Sequence, residues 1–161
     1  MPCGCARPIY HAPDNLEWGP VFWKLLHGLA EYSGNQKDPI MKADELLLWK
    51  NLLTTLHTAL PCEECRNHLK QYVELSPIVI PDKYEELGQY VRKWLYDLHE
   101  AVNQRLGKTA FLQENIKRDT NLKNTFGVLN VIMKRAIQAS SVSMLAWMKW
   151  SKYARFLYGM Y

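Results

Sequence analysis

DKYEELGQYVRKWLYDLHEAVNQRLG, residues 82–107, decides the fold. Leu87, Tyr90, Val91, Trp94, Leu95, Leu98, Val102 and Leu106 recur at three- and four-residue steps. That spacing lays one apolar stripe along an α-helix. Gly107 supplies the stop, since glycine readily takes the left-handed conformation that ends a helix. The pattern predicts a long helix over about 82–106.

The same period runs outward on both sides. In WGPVFWKLLHGLAEY, residues 18–32, Phe22, Leu25, Leu26 and Leu29 form a stripe beside Trp23, His27 and Ala30, and Pro20 suits a first helical turn. A second helix is predicted over about 41–59, with Leu46, Leu48, Trp49, Leu52, Leu53 and Leu56 as its apolar positions and Pro61 ending it. A third runs from Cys62 to about Glu74. SPIVIP, 76–81, is a short connection, because two prolines bracket only three residues. Beyond 113, periodic apolar positions at 126–137 and aromatic-rich 142–158 predict one or two further helices. The expected fold class is all-α: a four-helix bundle with one or two additional C-terminal helices.

The 161 residues suit one domain, and an apolar fraction of 48% with six Trp and nine Tyr provides an aromatic core. The net charge is only +4, and Lys and Arg are scattered singly, so no nucleic-acid partner is expected. No membrane partner is expected either. The best apolar run, FGVLNVIMKRAIQ, is broken by Lys134 and Arg135. The N-terminus carries neither a secretory leader nor a myristoylation signal, which reads as a soluble intracellular chain. Four cysteines in such a chain argue for metal binding or redox chemistry rather than a passive disulfide framework.

Two of them form C-x-x-C in LPCEEC, Cys62 and Cys65; the other two are Cys3 and Cys5 in MPCGC. C-x-x-C either clamps zinc or closes a reversible disulfide. In the zinc reading Cys3, Cys5, Cys62 and Cys65 hold the metal in a non-enzymatic interaction module, with the aromatic tail recruiting a partner. In the redox reading the pair opens a helix whose N–H groups and dipole favour a thiolate. Cys62 then faces out and Cys65 inward, while Glu63 and Glu64 oppose thiolate formation. The chain shows no strands for a βαβ redox domain.

Three motifs in order, Trp23 and His27, then Cys62 and Cys65, then His99, Val102, Asn103, Leu106 and Lys108, resemble the Erv/ALR-type FAD-linked sulfhydryl oxidases. The resemblance covers about residues 17–111 and is most like the short members encoded by large cytoplasmic DNA viruses. It implies a four-helix bundle holding FAD, usually as a homodimer, no metal, and oxidation of protein dithiols to disulfides with O2 reduced to H2O2. Carried over by position, Trp23, His27 and Tyr32 line the flavin site; His99, Asn103 and Lys108 contact the adenine and phosphate end, with Val102 and Leu106 packing nearby. Cys65 is the flavin-proximal sulfur and Cys62 the one attacked from outside. Cys3 and Cys5 fit a shuttle disulfide on a movable arm. The implied partners are protein dithiol clients or a thioredoxin-like carrier. The implied location is the host cytoplasm or the virion, with the mitochondrial intermembrane space as alternative. The expected division is an arm at 1–16, the oxidase domain at 17–113 and a helical extension at 114–161.

The chain departs from that pattern in two ways. A structural C-x16-C pair is replaced by Tyr96 and Gln113, and the arginine often found shortly before the tryptophan is missing, since Pro20, Val21 and Phe22 stand there. His57 and His68 read as surface or capping residues, Asp97 and Glu100 as solvated face, and SMLAWMKW as packing or a subunit interface.

Overall fold

The computed structural model describes residues 8–110, 113–116 and 118–161. The C-x-C pair, Cys3 and Cys5, lies outside them. The described residues form six α-helices and no strand: α1 Asn15–Tyr32, α2 Pro39–Ala59, α3 Glu63–Leu75, α4 Leu87–Arg105, α5 Leu122–Gln138 and α6 Met144–Met160. None is long and apolar enough to cross a membrane.

Caps decide where the helices begin. The Asp14 carboxylate accepts from the Leu16 N–H at 2.7 Å and starts α1 ahead of the tryptophan. Pro20 therefore sits in the second turn of α1, not in the first turn where its chemistry alone would place it. Asp38 caps α2 through the Ile40 and Met41 N–H groups, with Pro39 at the first helical position. Cys62 caps α3, its sulfur 3.2 Å from the Cys65 N–H. The stretch predicted to open α4 forms a separate 3₁₀ turn, Tyr84–Glu86. There the Tyr84 hydroxyl turns inward, accepting from the Gln36 N–H and donating to Glu45.

The end of α4 follows the sequence expectation closely. Gly107 takes φ +66°, the Gly107 N–H bonds to the Gln104 carbonyl at 3.1 Å, and the Lys108 N–H bonds to the Asn103 carbonyl at 2.9 Å. This paired closure returns the chain over the last turn.

α1 packs on α4 and α5, α2 on α3 and α6, and the longest contact runs between α2 and α6. Phe22 of α1 lies 4.9 Å from the ring of Trp150, whose indole N–H donates to the Leu52 carbonyl at 3.2 Å. Trp147 and Trp150 stack at 5.5 Å. The tail is thus a helical hairpin built into the core. Both of its tryptophans serve packing, whereas Met144, Leu145 and Met148 of the same stretch stay exposed.

Candidate active site

The corner between α2 and α3 is rigid for local reasons. Pro61 ends one helix and Cys62 caps the next. Arg66 ties the corner down, donating from Nη1 to the Leu60 carbonyl at 2.6 Å and to the Ser141 carbonyl of the α5–α6 turn at 2.8 Å. Cys62 and Cys65 are bridged across a Cα–Cα distance of 5.1 Å. Both are half-buried. Of the two, Cys65 lines the adjoining cleft and Cys62 does not.

That cleft, about 1420 Å³, lies between α1, α3, α4 and the connection leading to α5. Its wall is aromatic. The rings of Trp23 and His99 lie parallel within 4° at 4.0 Å, and His27 Nε2 sits 3.0 Å from His99 Nδ1. Burial, with the second ring close by, lowers His27 to a pKa of about 4. Burial likewise lowers His99 to about 4; Glu100 partly offsets this and Lys108 adds to it. Both imidazoles are therefore neutral at physiological pH, one donating to the other. Along α4, His99, Val102, Asn103 and Leu106 all reach the lining, as their helical spacing requires. The α4 terminus then carries Lys108 to the same rim. Arg105 stands beside it, 3.9 Å from Glu64 of α3, which is also 3.9 Å from His68 Nδ1.

The residues present fit a flavin dinucleotide. The volume exceeds the roughly 300–1,000 Å³ that drug-sized ligands occupy. Flat aromatic faces suit a flat heteroaromatic ring. Lys24, Arg105, Lys108 and Arg118 surround the lining with positive charge for a pyrophosphate. Buried His68 Nδ1 carries no hydrogen bond, leaving a polar atom for a ligand or water to satisfy.

Of the residues singled out in the sequence, Trp23, His27, Cys65, His99, Val102, Asn103, Leu106 and Lys108 converge on the cleft. Tyr32 does not join them. Its ring meets the Arg118 guanidinium, 4.0 Å from the ring centre, and stacks with Tyr161 at 5.6 Å. Its hydroxyl donates to the Asp119 carbonyl at 2.9 Å. His68, read as surface or capping, lines the cleft. Asn15, Arg118 and Asp119 line it too and carried no motif signal, because they flank the spaced pattern instead of belonging to it. Asp97 pairs with Lys93 on the exposed side of α4, as a solvated face should.

A helical bundle that presents a cysteine disulfide to a cofactor-sized aromatic cleft is built as a helical redox protein. The chain belongs to the Erv1 / Alr family, whose model matches residues 20–121. Among curated relatives, FAD-linked sulfhydryl oxidase ERV1 of Arabidopsis thaliana is 33% identical over 98 residues, 61% of this chain and 47% of that protein. An FAD-linked sulfhydryl oxidase of African swine fever virus is 31% identical over 93 residues, 58% of this chain and 71% of the relative. A protein of Invertebrate iridescent virus 6 is 29% identical over 103 residues, 63% of this chain and 88% of its own length. The chain thus spans about half of the plant relative and most of the viral ones. No solved structure matches it.

Proposed function

We propose that this chain is an FAD-dependent thiol oxidase that forms disulfides in protein substrates. One observation carries the reading: Cys65 of a bridged C-x-x-C pair lines an aromatic cleft of dinucleotide size. The family and the names of its relatives support it. A bridged pair also offers no thiolate to a metal, which weighs against the zinc module.

The chain's own part is thiol exchange and positioning. A client thiolate attacks Cys62 Sγ, the Cys62–Cys65 bond breaks, and its electron pair leaves on Cys65 toward the cleft. The client's second thiol then displaces Cys62, releasing an oxidised client. Bound FAD supplies the two-electron acceptor for the dithiol, with O2 reduced to H2O2. Trp23, His27 and His99 would form the wall that holds the flavin, and Asn103, Lys108 and Arg105 would meet its polar end. Val102 and Leu106 would pack beside it.

On this reading residues 17–113 form the oxidase unit, and 114–161 complete it by supplying Arg118 and Asp119. Cys3 and Cys5 relay electrons from a client or a thioredoxin-like carrier, across a homodimer. The viral relatives support placement in a host cytoplasm or virion; the plant relatives stand behind the mitochondrial alternative.

Oxygen uptake with a small dithiol tests the proposal. Cys65→Ser should abolish dithiol-dependent uptake while leaving flavin bound. Surviving turnover, or a colourless protein with stoichiometric zinc, would sink it.

A further inference from the structure

Cys65 has a polar neighbour from another helix. Asn15, in the first turn of α1, places its side-chain Nδ2 3.9 Å from Cys65 Sγ, contact distance for an N–H···S pair. The amide is not free to turn. Its Oδ1 accepts from the Trp18 indole N–H at 3.0 Å, and an indole nitrogen only donates. Trp18 is itself buried and meets Phe22 edge-on at 6.0 Å. The tryptophan thus fixes the oxygen, and the NH2 end faces the sulfur. Asn15 precedes the family match, which begins at residue 20.

We propose that Asn15 is a catalytic residue whose amide N–H stabilises the Cys65 thiolate released when the disulfide opens. This rests on the thiol-exchange reading above. In that step the client sulfur bonds to Cys62 Sγ while the Cys62–Cys65 bond breaks. Its electron pair passes to Cys65, so negative charge moves from the client to Cys65 with no proton transferred. A disulfide sulfur is a weak acceptor and a thiolate a strong one. The hydrogen bond therefore strengthens as the bond breaks, which is the condition for speeding the step.

The charges sharing the cleft make such a donor useful. Glu64 of α3 precedes Cys65 and opposes its ionisation, and Arg105 of α4 partly offsets Glu64 from 3.9 Å. His68 lies on α3, Lys24 and His27 on α1, His99 and Lys108 on α4, and Arg118 and Asp119 ahead of α5. All of these stay unchanged in the Asn15→Ala variant below, so its difference from the parent isolates the amide.

The test is the pH midpoint of Cys65 alkylation, read by mass spectrometry on the full-length chain carrying Cys3→Ser, Cys5→Ser and Cys62→Ser. Cys65 is then the sole thiol, since the chain has four cysteines. Asn15→Ala should raise the midpoint by about half a unit to one unit, roughly a threefold to tenfold loss of thiolate at fixed pH. Asn15→Asp keeps the shape and the bond to Trp18 but replaces the donor with a carboxylate, and should raise it at least as far. Trp18→Phe leaves the amide unoriented and should give a smaller rise.

Asn15 is an exposed first-turn position, so the alanine variant should fold, and its thermal melt checks that. A midpoint unmoved in the alanine variant overturns the proposal, even if aspartate moves it, because charge alone would then explain the effect. Wild-type oxygen uptake is read separately. An unmoved midpoint with uptake intact overturns Asn15 alone; a raised midpoint without uptake overturns the oxidase reading alone.

Discussion

His27 and His99 meet at 3.0 Å inside the wall of the cleft, each lowered from 6.5 to about 4 chiefly by burial. Between those values the unfolded chain binds protons that the folded chain refuses, so stability must fall as pH is lowered through that window. Below about 4 both states are protonated and this contribution levels off. Urea melts across that range should show the loss. A His27→Phe variant, which removes one of the two groups, should lose stability less steeply than the parent. An equal slope in both would mean that the pair is not held neutral. The two histidines were legible in the sequence because each sits in one of three ordered motifs that resemble the family's; taken singly, either would read as an ordinary core or surface histidine. Asn15 was not, because its role depends on an indole that fixes its rotamer and on a sulfur fifty residues away.

Helices follow their stripes, while their closest approaches follow from single residues that no stripe marks. Gly28 of α1 is such a point: a Cβ there would lie 2.9 Å from Leu122 Cδ2 and 3.0 Å from Asp119 Cβ. Its hydrogen lets the start of α5 lie on α1 and holds Asp119 at the cleft. Gly28→Ala should cost about 1–3 kcal/mol by overpacking. It should also weaken flavin retention, since the displaced segment carries Arg118 and Asp119. A melt and a flavin titration check both; an unshifted melt would mean that the α1–α5 contact yields freely. Period and breakers were enough to read α2 and the end of α4 from sequence. The start of α1 was misread because proline chemistry favours a first turn, yet the Asp14 cap won. The 3₁₀ turn before α4 was invisible for a related reason, as Tyr84 is drawn to a carboxylate on α2.

At the scale of the whole molecule, the periodic apolar positions of 126–137 and the aromatic-rich 142–158 announced helices but not their partners. The family match ends at residue 121, immediately before α5. Yet α5 and α6 bury Phe126, Leu129, Ile132, Met133, Trp147, Trp150 and Leu157. At about 1.5–3 kcal/mol each, these side chains contribute gross burial of the same order as the roughly 5–15 kcal/mol net stability of a typical domain. The end of α6 also closes a polar lock. Glu45, fully buried, accepts from the hydroxyls of Tyr84 and Tyr161 and from the Gly34 N–H at 3.2 Å. Burial and this carboxylate push both phenols above their usual range. The Tyr161 hydroxyl accepts in turn from the Trp49 indole at 3.0 Å. Truncation after residue 121 would strip the cover from Phe22, Trp49 and Leu52 and leave Glu45 short of a donor inside the protein. The shortened chain should lose its cooperative thermal transition, bind a hydrophobic dye and fail to retain flavin, although every residue of the three spaced motifs is still present. A truncated chain that melts cooperatively at the parental temperature and keeps its flavin would show instead that α1–α4 stand alone and that the hairpin merely leans on them.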